Sequence, residues 1–501
     1  MPQVYVKWGK EKLEVDVDTA QDPLTFKGQL FALTGVAPDR QKVMIKGRVL
    51  GDDSWNGLTL TDGLTIMMMG SAEAIPTAPV ANSGASDKVN DSGEKILPMP
   101  CGLNNLGNTC YMNSVVQSLK TIPELRKSLA TFGTVPQNPR ANMITAAFKQ
   151  AVNELERKPD SQFMPHALLM TLHQTFPQFN SRDPRGNLEQ QDANECFTEL
   201  QSLVVDGLDS SRDAPMKVRN FLRGKYQVSL KCAESEEEPV QTTSEDFYQI
   251  SCFLSQEVKY LQTGIKEKMT EEIVKNSPIL GRDAKWQKKA LISRLPAYIS
   301  VQLVRFFYKE DKKINAKIMK DVKFPLVLDL CDICAPELQE KLRPMRDAVK
   351  DEQDGILERE RRLKLDGKDP KKLRAEVMKD GELLPFSFPD DEGSNNSGFY
   401  ELQAVITHKG RSSNSGHYVA WVRLEEDKWA MCDDEHVQPI TSEDVLRLSG
   451  GGDWHTAYVL LYGPRVIRKF PELKDEPTSL GADDTTLPTG AQKPDEPMQT
   501  N

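Results

Sequence analysis

No run of about 18 apolar residues occurs in this 501-residue chain, and no apolar signal region opens it, so neither a membrane span nor secretion is expected. Cysteine is scarce, with eight residues widely spread, too few for a disulfide scaffold. That points to a reducing setting, the cytoplasm, with the nucleus as a second location. Basic excess is missing too: 64 Lys and Arg against 74 Asp and Glu give a net charge of −10. This argues against non-specific nucleic-acid binding and favours a partner with a basic surface. Paired zinc-ligand motifs are also lacking. Cys331 and Cys334 form one Cys-x-x-Cys spacing without a second pair or a nearby histidine, while Cys232 and Cys252 stand singly. Such a set cannot close a four-ligand site, so no metal and no other cofactor is expected. Histidine is as rare as tryptophan, with six residues, so chemistry that needs an imidazole has few to draw on.

One segment stands out against these absences. Residues Gly102 to Leu119 read as a glycine- and asparagine-rich loop that delivers Cys110 to the start of an apolar-periodic helix. Val115, Leu119 and Ile122 fall at i, i+4 and i+7, so the segment after Cys110 can bury one helical face. The N–H groups and positive dipole end of a helix start favour a thiolate there, an arrangement that a cysteine kept for packing does not need. Among the histidines, His417 lies where the small-residue loop Asn414-Ser415-Gly416 gives way to alternating apolar residues, so its imidazole sits at the mouth of a strand. Sixteen residues later, Asp433 ends a second strand-like run and can aim a carboxylate at the far ring nitrogen, with Asp434 as second choice. His408, His436 and His455 read as surface or packing residues. His166 and His173, in a leucine-rich helical stretch, read as core-edge packing. Gln190-Gln191-Asp192-Ala193-Asn194-Glu195 opens a helix with Asp192 and Glu195 on one face, where acids complement the dipole or accept guanidinium groups.

Residues 102–113 resemble the cysteine box of the ubiquitin-specific proteases, and residues 190–195 resemble that family's Gln-Gln-Asp-Ala-x-Glu box. The settings of His417 and Asp433 are similar to those of the family's histidine and acid. The resemblance implies that Cys110 is the nucleophile, His417 the base and Asp433 its orienting acid. It also implies that Asn105 lends its side-chain amide to the oxyanion hole; Asn108 is the alternative donor, or else a turn residue. Asp192 and Glu195 would meet arginines of the ubiquitin tail, and Gly416 would line an entrance that admits its Gly-Gly end. The partners implied are ubiquitin, polyubiquitinated proteins and the regulatory particle of the 26S proteasome. Two surface loops are implied to restrain the resting enzyme: residues 410–416, and Arg305-Phe306-Phe307-Tyr308 with the lysines after it. Phosphate on Ser412 or Ser413 would add about two negative charges to the first. The alternative is a non-catalytic scaffold that binds ubiquitin and the proteasome.

The expected fold class is α+β. Residues 1–70 read as hairpin, helix and short strands: Val4 to Lys7 and Lys12 to Val17 alternate around Gly9-Lys10, Phe26, Leu30 and Leu33 recur at helical spacing before Gly35, and strands follow near Val43–Ile45 and Leu64–Met68. This order, and the wording of Phe31 to Val36, resemble the ubiquitin-like β-grasp domain of a proteasome-associated member of the family. No terminal Gly-Gly follows, so a docking module is expected rather than a conjugated modifier. Residues 71–98 read as a flexible linker. Residues 99–464 hold the remaining motifs, and the resemblance implies that they form the family's papain-like catalytic domain, with thumb, palm and β-rich fingers. Within it, residues 340–380 hold 24 charged side chains in 41 positions and read as an exposed insertion that cannot form core. Residues 465–501 read as a disordered tail.

Overall fold

Alternating valines build the first unit. Val4 and Val6 of β1 (Gln3–Trp8) and Val15 of β2 (Glu11–Asp16) face inward, and Val4 lies opposite Val15 in the antiparallel pair. Helix α1 (Pro23–Thr34) begins on a proline, which costs no useful N–H at a first helical position, and buries Phe26 and Leu30. Strands β3 (Lys42–Ile45), β4 (Arg48–Val49) and β5 (Thr65–Met69) complete a sheet of order β2-β1-β5-β3-β4, with β5 parallel to β1 at its centre. This is a β-grasp. The computed structural model describes residues 2–69 except 9–10, 18, 20–22, 35, 37–40, 46–47, 52–53 and 56–59, and residues 97–471 except 134–137, 212–213, 310–313, 368–376, 413–414 and 453. The expected Gly9-Lys10 turn, the Gly35 stop and the 71–96 linker therefore lie outside the described residues.

The second unit, residues 97–501, is helical in its first half. After β6 (Gly102–Leu103) come α2 (Cys110–Leu119), α3 (Pro123–Thr131), α4 (Pro139–Arg157), β7 (Gln162–Phe163), α5 (His166–Thr175), α6 (Ala193–Ser210) and α7 (Val218–Leu222). Helix α2 is buried on every side because α6 and the central-sheet strands Phe399–Ser412, Ser415–Arg423 and Lys428–Asp433 enclose it. Ile122, expected as a third apolar position of that helix, instead precedes the next one: Pro123 cannot extend α2 and starts α3.

Strands β8 (Gly224–Cys232), β9 (Gln241–Phe247), β10 (Gln249–Phe253) and helix α8 (Leu261–Lys268) follow, then β11 (Thr270–Ser277) and β12 (Arg282–Arg294). β11-β12-β8-β9 form a separate antiparallel sheet, with a small core of Cys232, Ala284 and Trp286. Beyond β13 (Ile299–Val304), the hairpin β14 (Phe306–Lys309) with β15 (Ile314–Lys317), and β16 (Val327–Asp329), come α9 (Pro336–Leu365) and β17 (Glu382–Leu383). The chain closes with β18 (Phe399–Ser412), β19 (Ser415–Arg423), β20 (Lys428–Asp433), β21 (His436–Thr441), β22 (Thr456–Pro464) and β23 (Arg468–Lys469).

The central sheet has the order β10-β13-β22-β18-β19-β20-β21, with β16 beside β18. Tyr418, Ala420 and Tyr458 share one core with α2 and α6, while Val419, Trp421 and Leu460 share the other with Leu261 and Ile265 of α8. β22 is buried on both faces, which explains its unbroken apolar sequence. No helix among the described residues is long and apolar enough to cross a membrane.

Two expectations are corrected here. The charged stretch is not simply exposed: α9 buries Leu338, Leu342, Val349, Glu352 and Arg359. Nor does the tail begin at residue 465. Arg465 Nη2 and the Arg468 N–H donate to the two oxygens of Glu352 at 2.9 and 2.8 Å, Arg359 lies over the Phe470 ring, and β23 pairs with β17. Buried charges are tolerated in α9 because this returning segment satisfies them.

Candidate active site

The loop before α2 is shaped by one side chain. Asn105 Oδ1 accepts from the N–H of Gly107 (2.9 Å) and of Thr109 (3.2 Å), and Thr109 Oγ1 accepts from the Leu106 N–H (2.9 Å). Gly107 and Asn108 are left-handed, with φ of +99° and +50°, which these two residue types tolerate. Asn108 gives its amide to the Leu188 carbonyl at 2.7 Å, so it makes the turn rather than facing the thiol. Cys110 is thereby set at the first position of α2, 2% exposed, with its Sγ accepting from the Tyr418 N–H at 3.5 Å.

His417 comes from the start of β19 and Asp433 from the end of the neighbouring β20. His417 Nε2 meets Asp433 Oδ1 at 2.5 Å, which leaves Nδ1 as the ring nitrogen not engaged by the acid. Asp433, then the side chain of Cys110, outweigh burial and raise the His417 pKa to about 10. Burial pushes Asp433 upward, but its bond to His417 and the neighbouring imidazoles prevail and hold it below the usual carboxylate value. An imidazole oriented by a carboxylate beside a cysteine is the arrangement that nucleophilic thiol catalysis requires.

Asp434 serves a different part of the site. It is buried and left-handed at φ +51°, and its Oδ2 lies 4.0 Å from His417 Nε2. Its two carboxylate oxygens accept from Asn113 Nδ2 and Asn105 Nδ2, each at 2.8 Å. Leu103 N–H donates to the Asp434 carbonyl at 2.8 Å, and an added Cβ on Gly102 would collide with the Glu435 backbone. The acid turn and the cysteine loop are thus one locked assembly. One Asn105 amide proton is spent on Asp434; the other carries no hydrogen bond among the described residues. His417, Asp433 and Asp434 bring ligand atoms within 4.8 Å of one another, but a cation there would have to break these bonds.

The expected substrate residues have more specific settings than their spacing suggested. Asp192 is the N-cap of α6: Oδ1 accepts from the N–H of Asn194 (2.7 Å) and Glu195 (3.1 Å), and Oδ2 from the Tyr458 hydroxyl (2.8 Å). Glu195, one turn in, is the exposed carboxylate of the pair. Gly416 has φ +142°, and an added Cβ would strike the Lys409 carbonyl and the His408 ring, so strand crowding alone demands glycine there.

Two further histidines gather at the site. His408 is fully buried between Phe306 and Tyr418, and burial drives its pKa down to about 3. His455 is buried beside Trp421, shares a hydrogen bond with Thr407 Oγ1 at 3.2 Å, and is lowered to about 4, mainly by burial. Both are packing residues, not surface ones. The signal for His408 was its place opposite Tyr418 in the β18–β19 pair. His436 is exposed. Ser413, Asn414 and the Ser412 side chain, in one expected restraining loop, lie outside the described residues, as do residues 310–313 of the other.

Comparison with known proteins agrees with this geometry. The family model described as "Ubiquitin carboxyl-terminal hydrolase" matches residues 101–462, and that described as "Ubiquitin family" matches residues 4–73. The chain is similar to "Ubiquitin carboxyl-terminal hydrolase 14" of Caenorhabditis elegans, 46% identical over 493 residues, covering 96% of this chain and 98% of that one. It is also similar to "Ubiquitin carboxyl-terminal hydrolase 6" of Arabidopsis thaliana (40% identical; 93% and 100% covered) and the protein of that name from Schizosaccharomyces pombe (36%; 93% and 100%). With the match spanning the thiol, the imidazole and both aspartates, the chain belongs to the ubiquitin carboxyl-terminal hydrolase family and is a deubiquitinating cysteine protease that also carries a ubiquitin-like domain.

Proposed function

We propose that this enzyme cleaves the isopeptide bond after the terminal glycine of ubiquitin on proteasome-bound conjugates. The observation that carries the mechanism is the Asp433–His417 hydrogen bond, with Cys110 close enough to the imidazole to raise its pKa. Cys110 Sγ attacks the glycine carbonyl, and the C–N bond breaks as His417 passes its proton to the departing lysine amine. The resulting thioester is hydrolysed by a water that gives a proton back to His417, releasing ubiquitin with a free carboxylate. The unspent Asn105 amide proton serves the carbonyl oxygen as it becomes negative. Glu195, with Asp192 behind it, receives the arginines of the ubiquitin tail.

Docking on the proteasome through the ubiquitin-like unit is supported by an apolar strip on the open face of its sheet. Met67 and Met69 of β5 and Val49 of β4 are exposed, and Met44 lies beside Met67 and Val49 in register. Restraint of the free enzyme is supported by the near-complete burial of Cys110 and by Phe306, on the β14–β15 hairpin, packing edge-on against Tyr458 and His408 beside the α6 cap. The test is hydrolysis of a ubiquitin C-terminal aminocoumarin amide with and without purified proteasomes. Turnover should rise with proteasomes, lose that rise when residues 1–70 are deleted, and vanish in Cys110→Ala. Activity surviving Cys110→Ala refutes the chemistry; turnover indifferent to proteasomes refutes the docking.

A further inference from the structure

The strands at the active-site edge carry different side chains on their two faces. Tyr418, Tyr458, His408 and Phe306 lie together on the face that meets α6, where Asp192 bonds Tyr458. If the ubiquitin tail enters along this face, as the proposed function has it, the departing chain leaves along the other. At the same end of that other face lie Lys409, directly opposite His417 in register, then His455 and Trp454 just before β22.

Trp454 is the largest apolar side chain there and is 58% exposed. Its ring stands edge-on to His455 at 5.2 Å, His455 lies 6.5 Å from the His417 ring, and the Lys409 ammonium is 5.3 Å from the indole centroid. The base of its loop is pinned. The Ser449 carbonyl accepts from the buried Arg305 guanidinium at 2.8 Å, the Gly451 N–H donates to the Met319 carbonyl at 2.9 Å, and Gly450, at φ +125°, has no room for a side chain against Lys320. Neither Trp454 nor Lys409 has a part in the chemistry derived above. An exposed indole held near a catalytic imidazole is the kind of side chain that anchors a partner.

We infer that Trp454 and Lys409 form the leaving-group subsite: the indole face packs on the methylene stem of the substrate lysine, and the Lys409 ammonium donates to backbone carbonyls of the protein that bears it. The inference rests on the proposed isopeptide cleavage and names the side of the bond that the tail-binding residues do not touch. A lysine stem on an indole buries apolar surface without needing a charge, which suits an ε-nitrogen that is a neutral amide until the bond breaks.

The experiment compares kcat/KM of the full-length enzyme, in the presence of proteasomes, on two substrates: ubiquitin joined to the lysine ε-amine of a short peptide, and the ubiquitin aminocoumarin amide, which has no lysine stem. Trp454→Ala should lower the ratio of peptide to aminocoumarin kcat/KM by about tenfold, the scale of one lost apolar contact, while Trp454→Phe keeps most of it. Lys409→Gln should lower the same ratio less. A ratio unchanged in Trp454→Ala overturns the inference, whether both rates fall together or neither moves. A wild-type enzyme inactive on both substrates would instead overturn the proposed function itself.

Discussion

At Asp433 one carboxylate oxygen holds His417 Nε2 at 2.5 Å, and this bond is the largest influence raising the imidazole. A group so raised stays protonated until the pH approaches about 10, so the alkaline limb of kcat/KM should lie well above neutrality. Asp433→Asn keeps the shape and removes the charge, and the His417 pKa then falls back toward its ordinary value. The alkaline limb should move to lower pH and the rate should drop by between about 10² and 10⁴-fold. Asp434→Asn should behave differently. Asn113 and Asn105 both donate to that carboxylate, and an amide offers them only one oxygen, so the rate should fall while the alkaline limb moves less than in Asp433→Asn, the Asp434 oxygen standing 4.0 Å from the imidazole. A pH–rate profile of both variants on the aminocoumarin substrate distinguishes orientation of the base from support of the oxyanion donor. The local wording around Cys110, His417 and Asp433 makes this trio legible in the chain itself. The bridge from Asp434 to Asn105 is not, because it joins positions 329 residues apart through a left-handed turn that aspartate spacing does not announce.

Helix α9 shows what composition can and cannot say about an element. Its dense charge reads as an exposed insertion, and Arg343–Glu340 and Arg362–Glu358 are indeed ion pairs at the surface. Which acid turns inward is set by Arg465, 113 residues further along, in a segment that reads as tail. Glu352 is 3% exposed and both its oxygens are bonded, so truncating it strands the partly buried Arg465 guanidinium. Glu352→Ala should destabilise the catalytic unit by about 3 kcal/mol, whereas Glu358→Ala, which breaks an exposed pair, should cost under about 1 kcal/mol. Urea denaturation followed by tryptophan fluorescence measures both, and equal effects would mean that the return of residues 465–471 onto α9 contributes nothing.

For the whole molecule, alternating valines and one short helix made the β-grasp legible from periodicity, while the protease was legible from the wording of its cysteine box and its Gln-Gln-Asp-Ala-x-Glu box rather than from the order of its helices and strands. The purpose of joining them is not written in either core. The proposed docking rests on the outward residues of β5, where the strand's alternation separates two kinds of methionine. Ile66 and Met68 face the core, whereas Met67 and Met69 face solvent beside Met44. Glutamates at the outward positions leave the interior untouched and place charge in an apolar strip that a docking partner would have to desolvate. The double variant Met67→Glu, Met69→Glu should therefore keep its thermal midpoint but raise the proteasome concentration needed for half-maximal stimulation by at least about tenfold, the scale of losing an interface anchor. Saturating proteasomes should still restore the full rate, because an unaltered Cys110, His417 and Asp433 receive the same activation once docking is forced. A full rate reached at the wild-type proteasome concentration would move the docking surface elsewhere on the chain.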